Sequence, residues 1–257
     1  MIELKLFNQK AKIDAGELIG YQVDQHEFIH QKGSPGWRSS DTEMFPIIGP
    51  THEADFRIQV PRAYAVLDQH GHLRELTYDL TSKSDTKAVF EKVYKAGTPV
   101  INSKFPEKST ARRLIWPFDF KFQKAFELKE GELEITFTVS GEKDMPFMLG
   151  YHPAFKLYMD HPQLVAGERD ISLEEVLDVG SRALEVPDCD TITLKDKNQL
   201  TIETEGFGNF MLWTEVPHMI CIEPITFYPY AVDQKELHEG FQYLESSEKV
   251  FKVHIKV

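Results

Sequence analysis

Cysteine is scarce in this chain. Cys189 and Cys221 are the only two among 257 residues, too few for a disulfide framework or a cysteine-based zinc site. Long hydrophobic runs are also missing. No stretch approaches the ~20 apolar residues that span a bilayer, and the opening MIELKLFNQK lacks the apolar h-region of a secretory signal. Positive charge is in deficit: 29 Lys and Arg face 41 Asp and Glu, for a net charge of −12. Such a field repels phosphate backbones and anionic lipid. These absences point to a reduced, cytoplasmic protein that binds neither nucleic acid nor membrane. No internal repeat, low-complexity tract or linker divides the chain. Residues 1–257 therefore read as one domain, a length that large all-β folds reach undivided.

Aromatic residues, by contrast, are plentiful. The 18 Phe, 9 Tyr and 3 Trp favour sheets, because flat side chains fit a pleated surface. Alternation supports this. Ile2, Leu4 and Leu6 face one way, and Glu3 and Lys5 the other. A turn follows at Asp14-Ala15-Gly16, after which Glu17 to Phe28 reads as extended. Gly33-Ser34-Pro35-Gly36-Trp37 is a loop by its turn residues, and residues 44–50, MFPIIGP, form a short apolar run.

The clearest pattern is a hairpin. Phe118, Phe120 and Phe122 alternate with polar residues, as do Leu133, Ile135, Phe137 and Val139 after the Lys129-Glu130-Gly131 turn. Leu200 to Thr204 and Phe251 to Val257 repeat the period, with Lys252, His254 and Lys256 toward water. Asp85 to Ala96 fits either a helix face or a strand and is assigned as strand. Residues 157–199 read as surface strands and loops. The fold class is all-β, a large sandwich or barrel.

Two polar residues interrupt apolar runs in a similar way. His152 lies in MPFMLGYHPAF between Tyr151 and Pro153, and Glu223 lies in MICIEPI before Pro224. Proline fixes its own φ and pushes the preceding residue toward extended backbone, so each side chain is held in one direction. A buried carboxyl is costly unless it is paired or functional. His70, in QHGHLR, is a third candidate, or else a turn residue before Gly71. His72, His30 and His52 lack such a setting and read as surface residues. Lys108, Arg112 and Arg113 suit a solvated face, and Trp213, Phe118 and Phe120 suit the core.

Taken in order, GWRSS and MFPIIG (36–49), QHGHLR (69–74), WPFDF (116–120), MPFMLGYHPAF (145–155) and MLWTEVPHMICIEPI (211–225) resemble the aldose 1-epimerase, or galactose mutarotase-like, superfamily and its LacX-type bacterial branch. The resemblance implies a large twisted β-sandwich with its site in a cleft. It implies that His70 and His152 contact a sugar and that Glu223 is the base. Arg74 matches an arginine near the sugar hydroxyls, or is a surface salt bridge. Trp37 suits a sugar-stacking platform or a loop anchor, and Gln69 joins the substrate contacts. Where relatives carry an arginine after FPIIG, this chain has Pro50.

The implied activity is interconversion of the α and β anomers of a hexose. A base removes the O1 proton while an acid protonates the ring oxygen. The two groups are expected about one ring width apart, on different sides of the sugar. Glu223 fits the base, its pKa raised by burial, and His152 the acid, because imidazole titrates near neutrality. His70 then hydrogen-bonds the ring, and the two histidine roles are interchangeable at this stage. Neither metal nor cofactor is needed. The expected partner is a small hexose, bound by a monomer or homodimer. Two alternatives share the scaffold: a sugar-binding protein with weak or lost catalysis, and a mutarotase for a phosphorylated hexose, which needs convergent arginines.

Overall fold

A computed structural model describes residues 1–257. Nearly all of its regular structure is strand, in two large sheets that pack face to face. The larger sheet has nine antiparallel strands in the order Arg169–Ser172, Gln163–Ala166, Thr191–Lys195, Gln199–Glu205, Glu248–Lys256, Glu132–Gly141, Phe120–Lys129, Lys87–Tyr94 and Asp79–Lys83. The smaller sheet runs Leu184–Val186, Asn209–Trp213, Met219–Ile225, Gly150–His152 and Thr42–Met44, with Ala154–Lys156 also paired to Met219–Ile225. A four-stranded meander over residues 2–27 leans on the Phe120–Lys129 strand.

The predicted hairpin is the centre of the larger sheet. Phe120–Lys129 pairs with Glu132–Gly141 in unbroken register from Phe120↔Gly141 to Lys129↔Glu132. Its inward residues meet aromatic side chains of the smaller sheet's segments: Phe122 faces Phe45 at 5.4 Å between ring centroids, and Phe137 faces Tyr151 at 5.1 Å. Sixty-one buried apolar residues form one contiguous cluster that runs between the sheets and under the meander. Burying one large apolar side chain contributes about 1.5–3 kcal/mol, so this layer is the main support for everything the smaller sheet carries.

One inward position of the Phe120–Lys129 strand is not apolar. Lys124 follows Phe120 and Phe122 on the core face, is fully buried, and bonds Asp41 Oδ2 at 2.7 Å and Glu43 Oε1 at 2.6 Å.

Several expectations are corrected. Residues 17–28 are not one extended run, because Asp24 and Gln25 take positive φ values of 48° and 69° and turn the chain between two strands. Residues 157–199 hold buried positions such as Leu164, Ile171, Val176 and Ile192. They also hold an α-helix, Leu173–Val179, capped by Ser172, whose Oγ accepts from the Glu175 amide at 3.1 Å. Asp85–Ala96 does contain a strand, Lys87–Tyr94.

Candidate active site

Tyr151 and His152 are consecutive on one strand, so they point to opposite faces. Tyr151 enters the core, where its hydroxyl donates to Asp41 Oδ2 at 2.6 Å. His152 is left facing outward. The Met219–Ile225 strand sorts its residues the same way. Ile220 and Ile222 belong to the main core, whereas Met219 and Cys221 join Trp37 and Ala154 in a small second cluster on the other face. Glu223 follows that second set by alternation. Its Oε1 lies 3.3 Å from His152 Nε2, and the carboxyl is 1% exposed.

The cleft above this pair encloses about 230 Å³ and is lined by Gln69, His70, His152, Met211, Trp213 and Glu223, with Arg182 and Tyr230 at its rim. One water needs roughly 10–15 Å³ of such space, so the cleft has room for a small polar molecule of monosaccharide class.

His70 reaches the cleft through an unusual backbone. Its φ is +69° and that of Gly71 is +75°, a region that side chains with a Cβ rarely adopt. The turn is held at both ends: the His70 amide donates to Gly49 O, and the Phe45 amide to His70 O, each at 3.2 Å. A Cβ on Gly71 would run into the Phe45 carbonyl oxygen, so only glycine fits. The Gly49 amide donates to His70 Nδ1 at 3.2 Å. Nδ1 is thus the acceptor and Nε2 carries the proton, so the Gln69 side-chain amide group 3.2 Å from Nε2 presents its oxygen there.

Charge is scarce on the cleft floor. Burial pushes the Glu223 carboxyl well above its ordinary range. Burial, with the Arg74 guanidinium nearby, drives His152 down to about 3. Burial, Arg74 and His152 together keep His70 far below a normal histidine. Burial thus works against charge on all three heads. Glu223 Oε2 and His152 Nδ1 are buried without a hydrogen-bond partner, a costly state that a bound polar molecule would relieve.

The structure brings His70, His152, Glu223 and Gln69 to one cleft and leaves two expected contacts outside its lining. Trp37 is buried and stacks on the His152 ring at 5.2 Å and 27° between planes. One of its faces packs on the imidazole. Arg74 acts on the histidines through its charge, with Nε buried and unpaired. Trp213, assigned to the core from sequence, lines the cleft instead. It stands opposite Cys221 on the neighbouring strand and so shares the Glu223 face. Period-2 counting back from Trp213 through Met211 was a signal for this. Arg182 and Tyr230 had none, because they meet only in space, the guanidinium 5.0 Å over the ring.

Two histidines expected at the surface are buried. His72 is fully enclosed against Tyr94 and Phe120. His30 is tied by Nε2 to Pro35 O at 3.0 Å. His52 is exposed as expected.

Known proteins share this fold. A galactose mutarotase-like protein from Lactobacillus casei is similar over 100% of this chain and 99% of its own, with a TM-score of 0.81 and 20% identity. A galactose mutarotase related enzyme from Lactobacillus acidophilus follows at a TM-score of 0.74 and 17% identity, over 100% and 97% of the two chains. A galactose mutarotase-like protein from Clostridium acetobutylicum reaches 0.63 at 14%, over 96% and 92%. At these identities the likeness is one of fold. A search of curated proteins gave no match. The aldose 1-epimerase family model matches residues 53–190, more than half of the sequence and a span that includes His70, Arg74 and His152. By that match, the chain belongs to the aldose 1-epimerase family.

Proposed function

We propose that the protein is a mutarotase that opens and recloses the ring of a hexose, with Glu223 and His152 as its proton-transfer pair. The observation that carries this reading is the pair itself: two titratable heads 3.3 Å apart on the floor of a sugar-sized cleft, each with an unpartnered atom.

The spacing revises how the chemistry is expected to run. Acid and base stand side by side, not one ring width apart. That suits the reaction, because the anomeric hydroxyl and the ring oxygen are bonded to the same carbon. Neighbouring heads reach both oxygens from one edge of the ring. Mutarotation consumes no net proton, so a pair that holds one proton between two sites is sufficient. Burial favours the form with that proton on Glu223. A transfer across the 3.3 Å contact gives carboxylate and imidazolium, a state that a polar sugar favours by replacing the apolar surroundings that disfavour charge. Glu223 then takes the O1 proton while His152 protonates the ring oxygen. Closure after rotation about C1–C2 runs the same transfers backward and restores both groups. His70, its Nε2–H facing the cleft, steadies the ring or a neighbouring hydroxyl, and Trp213 supplies the apolar wall on which a pyranose face packs.

Polarimetry on freshly dissolved α-D-galactose and α-D-glucose tests the reading. General acid–base catalysis contributes about 10²–10⁴-fold. Glu223→Gln and His152→Asn should each lower the enzymatic rate by about 100-fold or more, with folding unchanged by circular dichroism. No acceleration by wild type on any free or phosphorylated aldose would refute it.

A further inference from the structure

A count of cysteines hides what the smaller sheet does with one of them. Cys221 and Glu223 are two residues apart on one strand, so both side chains leave the same face, and His152 stands over them. A His152 ring nitrogen, Cys221 Sγ and a Glu223 carboxylate oxygen all lie within 4.8 Å of one another. Ligands of a tetrahedral zinc sit ~2.0–2.3 Å from the metal, which puts neighbouring ligand atoms about 3.3–3.8 Å apart. The 3.3 Å between His152 Nε2 and Glu223 Oε1 already matches, and a shift of about 1 Å at the thiol completes the fit.

Imidazole, thiolate and carboxylate together suit a borderline-soft divalent cation better than a hard one. From this juxtaposition we infer that His152, Cys221 and Glu223 form a binding site for a zinc-class divalent cation, and that its occupancy shuts the cleft to sugar. Two further observations support the site. Glu223 Oε2 is buried, unpartnered and on the cleft floor. The charges also balance. Bound as thiolate and carboxylate, Cys221 and Glu223 are two anionic ligands that neutralise the cation. No net charge is then added to the apolar floor. The cleft side remains open for a fourth ligand such as water, as in catalytic rather than structural zinc sites. Arg74 opposes a cation here and limits the affinity.

The test uses the full-length protein with a non-thiol reductant and Co²⁺ as a spectroscopic probe. Wild type should develop a thiolate-to-cobalt charge-transfer band that Zn²⁺ bleaches. Cys221→Ala should lack the band, and Cys189→Ala should keep it. By calorimetry, Glu223→Gln should bind Zn²⁺ at least about tenfold more weakly, and this comparison decides the matter if Cys221→Ala fails to fold. Saturating Zn²⁺ should slow mutarotation by wild type, with a chelator restoring it. The inference falls if wild type gives no band, if the band survives in Cys221→Ala, or if Glu223→Gln binds Zn²⁺ as tightly as wild type. Full activity at zinc saturation would overturn closure of the cleft. Because the band and the calorimetry need no sugar, they report on the metal site even if the mutarotase reading fails.

Discussion

Replacing Lys124 with methionine is the sharpest test of how the sandwich is held together. Methionine keeps much of the length and apolar bulk of the stem and removes only the charge. In the native protein Lys124 is fully buried, and its ammonium lies 2.6–2.7 Å from the carboxylates of Glu43 and Asp41, themselves 3% and 2% exposed. Loss of the cation leaves two desolvated carboxyls facing each other. Breaking a buried ion pair on one side costs about 3–5 kcal/mol, equivalent at this chain length to a fall in melting temperature of about 6–20 °C. Lys95 provides the control. Its contact with Asp119 is almost as short, 2.8 Å, but the side chains are 78% and 45% exposed, and such pairs contribute about 0–1 kcal/mol. Burial decides the difference, since distance does not.

Urea denaturation at pH 8 should therefore separate Lys124→Met from Lys95→Met by several kcal/mol. The deficit should shrink toward pH 5. Without Lys124 the buried carboxyls bind protons in the native state more readily than in the unfolded chain, so lowering the pH favours folding. Adding Asp41→Asn and Glu43→Gln should recover most of the loss, because neutral amides need no counter-charge. A Lys124→Met protein within 1 kcal/mol of wild type, or no more destabilised than Lys95→Met, would refute the reasoning.

Burial holds His72 down at about 3, whereas in the unfolded chain it takes a proton near 6.5. Its neutral, folded form thus contributes stability above pH 6.5 that is lost at about 1.4 kcal/mol per pH unit as the pH falls toward 3. His72→Phe should remove that slope and gain about 2 kcal/mol over wild type at pH 5, read as urea midpoints at pH 7.5 and 5. Gly71→Ala forces a Cβ into the Phe45 carbonyl at a φ of +75°. It should cost about 1–3 kcal/mol in thermal melts and lose mutarotation with it, because His70 is set by the same turn. Ser172→Ala removes the cap of the Leu173–Val179 helix and should cost about 1 kcal/mol, with the mutarotation rate unchanged.

Where sequence and structure agree, a strict period was present. The hairpin of Phe120–Lys129 and Glu132–Gly141 alternates over ten residues in each strand, long enough that no helix satisfies it. Pro153 and Pro224 marked His152 and Glu223 by backbone stiffness alone. What was illegible depends on which chain segment covers which. His72 is two residues from His70 and no less polar, yet it is enclosed because Tyr94 and Phe120 close over it. Lys92 and Lys124 occupy core-facing positions that any hydrophobicity count assigns to solvent; Asp41 and Glu43 make Lys124 tolerable, and the Leu73 carbonyl and the Tyr78 ring hold Lys92. The Leu173–Val179 helix buries just Leu173 and Val176, too few positions for a 3.6-residue period to emerge. Trp213 lines the cleft because its strand runs beside Glu223, whereas Trp37 packs on the His152 ring.

The buried cation and the proton-transfer pair are linked by one short strand. Thr42–Met44 has only three residues and is the outermost strand on its side of the smaller sheet, a position that offers unpaired backbone and little packing. It pairs Thr42 with His152 and Glu43 with Tyr151, so any slip in it moves the His152 imidazole. One residue of slip would also turn Glu43 outward and leave Lys124 buried with half its counter-charge. Asp41 strengthens the lock from the adjoining residue, accepting from the Leu18 amide at 2.5 Å, Lys124 at 2.7 Å and Tyr151 at 2.6 Å. A hydrophobic residue at 124 would pack well enough against either register. The ion triad tolerates only one, and that register is the one that holds His152 against Glu223.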